Sequence, residues 1–159
     1  MLDEQSLTQA VRQATAAVFS TMLNLQVDAL ENRHVSDPPP DTGVMAVLGF
    51  TGDWVGSGVF YCQEKMACRL SSAMLMTEIT QITDEVLDGV GEVANMVMGN
   101  VKDGLSTVIG PLAMSVPTVV FGRNFQTRPP LRHSWFIAPF QVGEDRFEVR
   151  LCLSPKDNK

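Results

Sequence analysis

The 159-residue chain is 45% apolar with a formal net charge of −6, a composition that can bury a core and excludes intrinsic disorder. The negative balance repels phosphate backbones, so nucleic-acid binding is a poor first reading, and no apolar run approaches the roughly 20 residues that span a bilayer. Three scattered cysteines (Cys62, Cys68 and Cys152) and the polar start MLDEQSLTQA suggest neither a zinc cluster nor a secretory leader, and a reducing cytoplasm is the expected location.

Residues 5–31 carry Leu7, Val11, Ala14, Val18, Met22 and Leu25 at intervals of three and four. That spacing predicts an amphipathic helix, with Ser6 as its N-cap. Pro38, Pro39 and Pro40 end the pattern as a stiff extended connector. VMAVLGF and WVGSGVFYC, separated by TGD, predict a hairpin. Residues 63–76 return to helical spacing. A third helix, capped by Thr80 or Thr83, is expected to reach about Leu105 before Gly110-Pro111 stops it. SVPTVVFG, SWFIAPFQVG and RFEVRLCLS read as three more strands, the last two joined at Gly143-Glu144-Asp145.

This order predicts an α+β fold: a two-layer sandwich with long helices packed on a mainly antiparallel sheet, in one domain over 1–159. A helix followed by a hairpin occurs twice, in 5–62 and 81–153. MAVLGFTGDWVGSGVFYC loosely parallels FIAPFQVGEDRFEVRLCL. Laying AVRQATAAVFSTML over EVLDGVGEVANMVM places Gln13, Ala17 and Ser20 opposite Asp88, Glu92 and Asn95.

The third helix contains DGVGEVANMVMG, residues 88–99. At about 100° per residue, Glu92 falls near +40° and Asn95 near −20° from Asp88. Gln81, Asp84, Gly99 and Lys102 share that sector, while Val86, Val90, Val93, Ala94, Val97 and Val101 lie opposite. The apolar side goes to the core, and the Asp88, Glu92 and Asn95 side faces outward. Gly89, Gly91, Gly99 and Gly104 together cost the helix about 3–4 kcal/mol relative to alanine. Tight packing against neighbours is expected to offset that cost. Gly99, one turn beyond Asn95, instead clears room for something to approach. On periodicity alone these polar residues read as a solvated helix face, and the spacing by itself does not reveal an enzyme.

Asp88-x-x-x-Glu92-x-x-Asn95, followed by Pro117, resembles the signature of the CheC/CheX/FliY family of response-regulator phosphatases, as does the continuation NMVMGN at 95–100. The gap to Pro117 is one residue shorter than the family pattern. A single motif, together with the element order, is similar to the CheX-like subgroup over nearly the whole chain. The resemblance implies a CheX-like fold and hydrolysis of the aspartyl phosphate of a CheY-like receiver domain. Asn95 would orient the attacking water, and Glu92 would dock to the receiver's lysine. Asp88 and Gly99 would belong to the partner-binding surface. It also implies a homodimer built through the sheets, with edges offered by the C-terminal strands. Mg²⁺ would come from the receiver, and the chain would need no cofactor or metal of its own. The alternative is a non-catalytic receiver-binding or dimerisation module of the same family. A metal or nucleophilic hydrolase fares poorly. His34 and His133 have no Cys, Ser or carboxylate at telling spacing and read as surface or structural residues. GFTGDWVGSG lacks the Lys-Ser/Thr of a phosphate loop.

Overall fold

The computed structural model describes residues 2–127 and 134–156; His133 lies outside them. Helix α1 spans Glu4–Met22. It begins one turn earlier than the sequence suggested. Asp3 is the N-cap, its Oδ1 accepting from the Ser6 N–H at 2.7 Å, so Ser6 sits inside the first turn. A carboxylate is the stronger acceptor at a helix N-terminus, and these hydrogen bonds hold the Asp3 carboxyl below its usual range.

The predicted extension of α1 to residue 31 does not form. Asn24 turns left-handed at φ 52°, and the Leu25 N–H returns to the Phe19 carbonyl at 2.9 Å, closing the helix. The residues beyond form two short strands, β1 (Asp28–Ala29) and β2 (Arg33–Val35). The proline connector leads into the hairpin of β3 (Asp41–Gly52) and β4 (Trp54–Cys62). Helix α2 (Glu64–Leu75) and helix α3 (Asp84–Ile109) follow. Thr83 caps α3 by accepting from the Val86 N–H at 3.3 Å, and Gly110 at φ 81° ends it. The chain closes with β5 (Leu112–Met114), β6 (Thr118–Phe125), β7 (Trp135–Val142) and β8 (Asp145–Pro155).

The eight strands form one antiparallel sheet in the order β1-β7-β8-β4-β3-β5, with β2 also on β7 and β6 also on β3. The arrangement is symmetric about the β4–β8 pair. Each hairpin carries on its outer edge two strands from the other half of the chain: the short β1 and β2 on β7, and the short β5 with the eight-residue β6 on β3. Of the C-terminal strands, β8 is central and β7 is covered by β1 and β2, so these two supply no free edge among the described residues. A long edge is left at β6, which pairs only with β3 among the described residues.

Alternation along the strands sorts the two faces. Phe60, Cys62, Val44, Phe140, Phe147 and Val149 face the helices in the main core. Phe147 stacks on Phe19 of α1 at 4.7 Å and on Phe60 and Phe140 at 5.2 Å, which ties helix and sheet layers together. On the reverse face Met45, Val59, Trp135, Ile137 and Cys152 form a second buried cluster. Beside it the Arg150 guanidinium makes paired hydrogen bonds to Asp41 at 2.8 and 2.9 Å. It also reaches Glu148 at 2.8 Å and lies 4.7 Å from the centre of the Tyr61 ring.

Candidate functional site

Helix α3 explains its own glycines through its neighbours. A Cβ at Gly89 would lie 2.7 Å from Ser71 Oγ on α2, and one at Gly91 would lie 3.1 Å from Val119 Cγ2 on β6. At Gly104 it would meet Ala10 of α1 at 3.4 Å. Three of the four glycines thus mark places where another element presses on the helix. Gly99 is the exception, with nothing within 4 Å of its added Cβ. Val86, Val90, Val93, Val97 and Val101, with Ala94, Met98, Leu105 and Ile109, are buried beneath.

The outward face carries the sequence-predicted residues in the expected order. Asp88 and Glu92 are exposed, Asn95 is half-buried, and Gly99 leaves the surface open beside it. Asn95 is therefore not walled into the core. Among the described residues no hydrogen bond or ion pair engages the side chain of Asp88, Glu92 or Asn95. Asp84 and Glu85 continue the same face at its N-terminal end, in the first turn of the helix. Gln81 does not join it, because it precedes the Thr83 cap. Lys102 does lie on the helix, but its ammonium is drawn to Asp103 at 3.3 Å. Pro117 comes two residues before Val119, the residue against Gly91, so it stands at the start of the strand that flanks the ridge.

Sequence reasoning missed the two flanks. On one side β6 brings Val119 against the helix; on the other, the end of α2 brings Ser71 and Met74 beside Gly89. Both come from elements remote in sequence or read only as core helix. The signal for the second was the apolar run AMLM at 73–76, whose last two residues are exposed.

Asp88 and Glu92 stand exposed on the outward face of α3. Clefts of about 710, 320 and 270 Å³ lie elsewhere, around Arg69 and Asp145, around Tyr61 and Arg146, and around His34 and Trp54. Small-molecule sites are concave, so a projecting carboxylate and amide suit a partner that supplies its own cleft. Among the described residues, no group of three or more His, Cys, Asp or Glu side chains is placed to hold a metal ion. His34 pairs with Glu4 at 3.4 Å and packs edge-on against Phe136. Burial pushes the Cys62 thiol up to about 12, with the nearby Cys68 adding to the rise, which disfavours a thiolate nucleophile. No helix among the described residues is long and apolar enough to cross a membrane.

The model of the chemotaxis phosphatase CheX family matches residues 44–141, more than half of the chain and a span that contains the whole ridge from Asp88 to Gly99. The chain belongs to the CheX family. The CheY-P phosphatase CheX of Thermotoga maritima is 29% identical over 86 residues, 54% of this chain and 56% of that protein, so the match spans little more than half of that relative. The crystal structure of chemotaxis protein CheX from Desulfovibrio desulfuricans superposes with a TM-score of 0.84 at 27% identity, covering 93% of this chain and 99% of that one. A CheX-CheY-BeF3-Mg²⁺ complex from Borrelia burgdorferi shares the fold, with a TM-score of 0.70 and 19% identity over 92% of this chain and 97% of that one. The α+β sandwich expected from the element order is thus the CheX-like fold.

Proposed function

We propose that the chain hydrolyses the aspartyl phosphate of a CheY-like receiver domain, acting as one cytoplasmic CheX-like domain over its 159 residues. The observation that carries this reading is the placement of Glu92 and Asn95. They project together from an open helix face, without partners among the described residues, beside the clearance left by Gly99.

An aspartyl phosphate is an acyl phosphate and already labile. Its hydrolysis needs a water held in line with the departing carboxylate oxygen, and positioning supplies most of the catalysis in phosphoryl transfer. The Asn95 carboxamide suits that task. Its oxygen accepts a hydrogen bond from the water, and its NH₂ donates to a phosphoryl oxygen. A carboxamide does not titrate near neutral pH, so it orients the water without acting as the base. Glu92, about one turn away and exposed, pairs with the receiver's active-site lysine and fixes the depth and register of docking. Asp88 adds to the same acidic edge and chiefly solvates it. Mg²⁺ is the receiver's contribution; a CheX relative is known in complex with CheY, BeF3 and Mg²⁺. Two chains associate through the free edge of β6, where Val120 and Phe121 are exposed by 37% and 46%.

The test loads a CheY receiver with phosphate from acetyl phosphate and follows its decay. Addition of the wild-type chain shortens the lifetime, and Asn95→Ala abolishes the effect while the complex still forms. If the wild-type chain binds the receiver and leaves its lifetime unchanged, the protein is a binding module instead. If Asn95→Ala accelerates decay as well as wild type does, the role given to the amide is wrong.

A further inference from the structure

The α2–α3 corner carries an apolar residue that folding does not explain. Met76 caps α2 in the left-handed region at φ 53° and ψ 38°, its N–H bonded back to the Ser72 carbonyl. That position favours Gly or Asn, because a Cβ there meets the neighbouring carbonyl. Met76 is nonetheless a large apolar side chain and is 92% exposed, and Leu75 before it is 45% exposed. The pair therefore combines backbone strain with solvated apolar surface.

The location is specific. Ser71 and Met74, on the preceding turn of α2, are the atoms nearest a Cβ placed at Gly89 of α3. Gly89 lies about 100° around the helix from Asp88, by the rotation per residue. The last turn of α2 thus forms a shoulder along the Asp88–Glu92 end of the ridge. Glu78 follows in the connector, where it lines a cleft with Lys65 and Arg69, and Asp84, Glu85, Asp88 and Glu92 follow along α3, all five carboxylates exposed. Among the described residues no ion pair or side-chain hydrogen bond engages any of the five carboxylates. Asp84 and Glu85 gain from the α3 N-terminus; the other three have no such compensation.

We propose that Leu75 and Met76 form an apolar knob that docks on the receiver domain, seated in an apolar recess rimmed by cations next to the receiver's phosphorylation site. The inference rests on the receiver reading of Glu92 and Asn95 and extends its surface beyond the signature. Charge complementarity selects the occupant. A second copy of this chain would bring the same acidic rim against itself, whereas a receiver that offers a lysine to Glu92 presents the opposite charge. An anchor of this kind supplies binding energy, while the surrounding carboxylates set orientation and the rate of encounter.

The test separates the anchor from its structural role because the two move in opposite directions. Met76→Gly relieves the left-handed backbone, so the thermal midpoint is unchanged or higher. Affinity for acetyl phosphate-loaded CheY, titrated in an Asn95→Ala background so that the complex is not turned over, falls about fivefold or more, as expected for loss of an interface anchor. Met76→Asn, which also tolerates this backbone, gives the same loss, and Met76→Leu retains affinity. Unchanged affinity in both Met76→Gly and Met76→Asn overturns the proposal. So does a Met76→Gly chain that binds normally but no longer self-associates in sedimentation. Because the titration is independent of turnover, a wild-type chain that binds through Met76 but leaves the phosphate lifetime unchanged refutes the catalytic reading alone.

Discussion

Gly99 and Gly89 differ by less than three turns of one helix and should respond to the same substitution with opposite signs. Alanine at either position restores helix propensity worth about 1 kcal/mol. At Gly99 nothing stands within 4 Å of the new methyl, so the whole gain is kept. For a domain of this size, about 1 kcal/mol raises the thermal midpoint by about 2–4 °C. At Gly89 the methyl would lie 2.7 Å from Ser71 Oγ. Ser71 is buried, and its hydroxyl donates to the Val86 carbonyl at 3.4 Å. Rotating that hydroxyl away leaves a buried polar group unpaired, at about 1–3 kcal/mol. Gly89→Ala should therefore lose up to about 2 kcal/mol net of the propensity gain. Denaturant and thermal unfolding of the two variants measure this directly. The same Gly99→Ala chain should dephosphorylate the receiver more slowly than wild type, because the methyl fills the approach beside Asn95. A Gly99→Ala chain less stable than wild type would show that the outer face is packed, and the account of the site would fail with it.

Two further outcomes follow from the buried groups. Asp41→Ala leaves the Arg150 guanidinium, 4% exposed, without its paired acceptor. It should cost about 3 kcal/mol in urea unfolding, against 1 kcal/mol or less for Arg33→Ala at the exposed end of the network. Equal losses would mean that the network is not anchored at Asp41. Burial holds the Cys62 thiol at about 12, from an ordinary 9.0. Between those values the folded chain keeps a proton that the unfolded chain releases, so the contribution is intact below pH 9.0 and is lost as pH rises toward 12. The slope approaches about 1.4 kcal/mol per pH unit; urea midpoints from pH 8 to 10 should fall with pH, and Cys62→Ala should flatten the fall.

Local patterns were enough for the three helices, the two hairpins and the turn at Gly143-Glu144-Asp145. In each, the apolar period and the stop signal lie within the element. The end of α1 was not legible because Leu25 and Val27 continue the apolar spacing past Asn24. What converts the segment beyond into strand is pairing with residues more than a hundred positions away, Asp28 with Gln141 and His34 with Phe136. No local preference encodes such partners. The strands β1 and β2 were missed for that reason, and β5 likewise takes its partners from a distant strand, Met114 pairing with Phe50. Glu92 and Asn95 were legible as a pair because helical rotation alone places them together. Their flanks were not, since Val119 arrives from the sheet edge and Met76 looks like the end of a core helix until its exposure is seen.

The echo between the two helix-and-hairpin segments has a counterpart in the sheet register. The matched hairpin segments 45–62 and 136–153 set Val59 against Arg150, and those two residues are also register partners across β4 and β8. A local two-fold axis therefore passes between them. The two matched positions differ in character, one supplying an apolar side chain and the other a buried cation held by Asp41. The helices differ more. Helix α1, with Gln13, Ala17 and Ser20 in the matching places, contains no glycine. Helix α3 takes a glycine at each of its contacts with α2, β6 and α1, so neighbours grip it on three sides. The water-orienting role proposed for Asn95 requires its amide to be held within a fraction of an ångström of its place. The carboxylate and amide stand on the helix whose backbone is pinned by those contacts, and the interior glycines that weaken the isolated helix are what let its neighbours close on it.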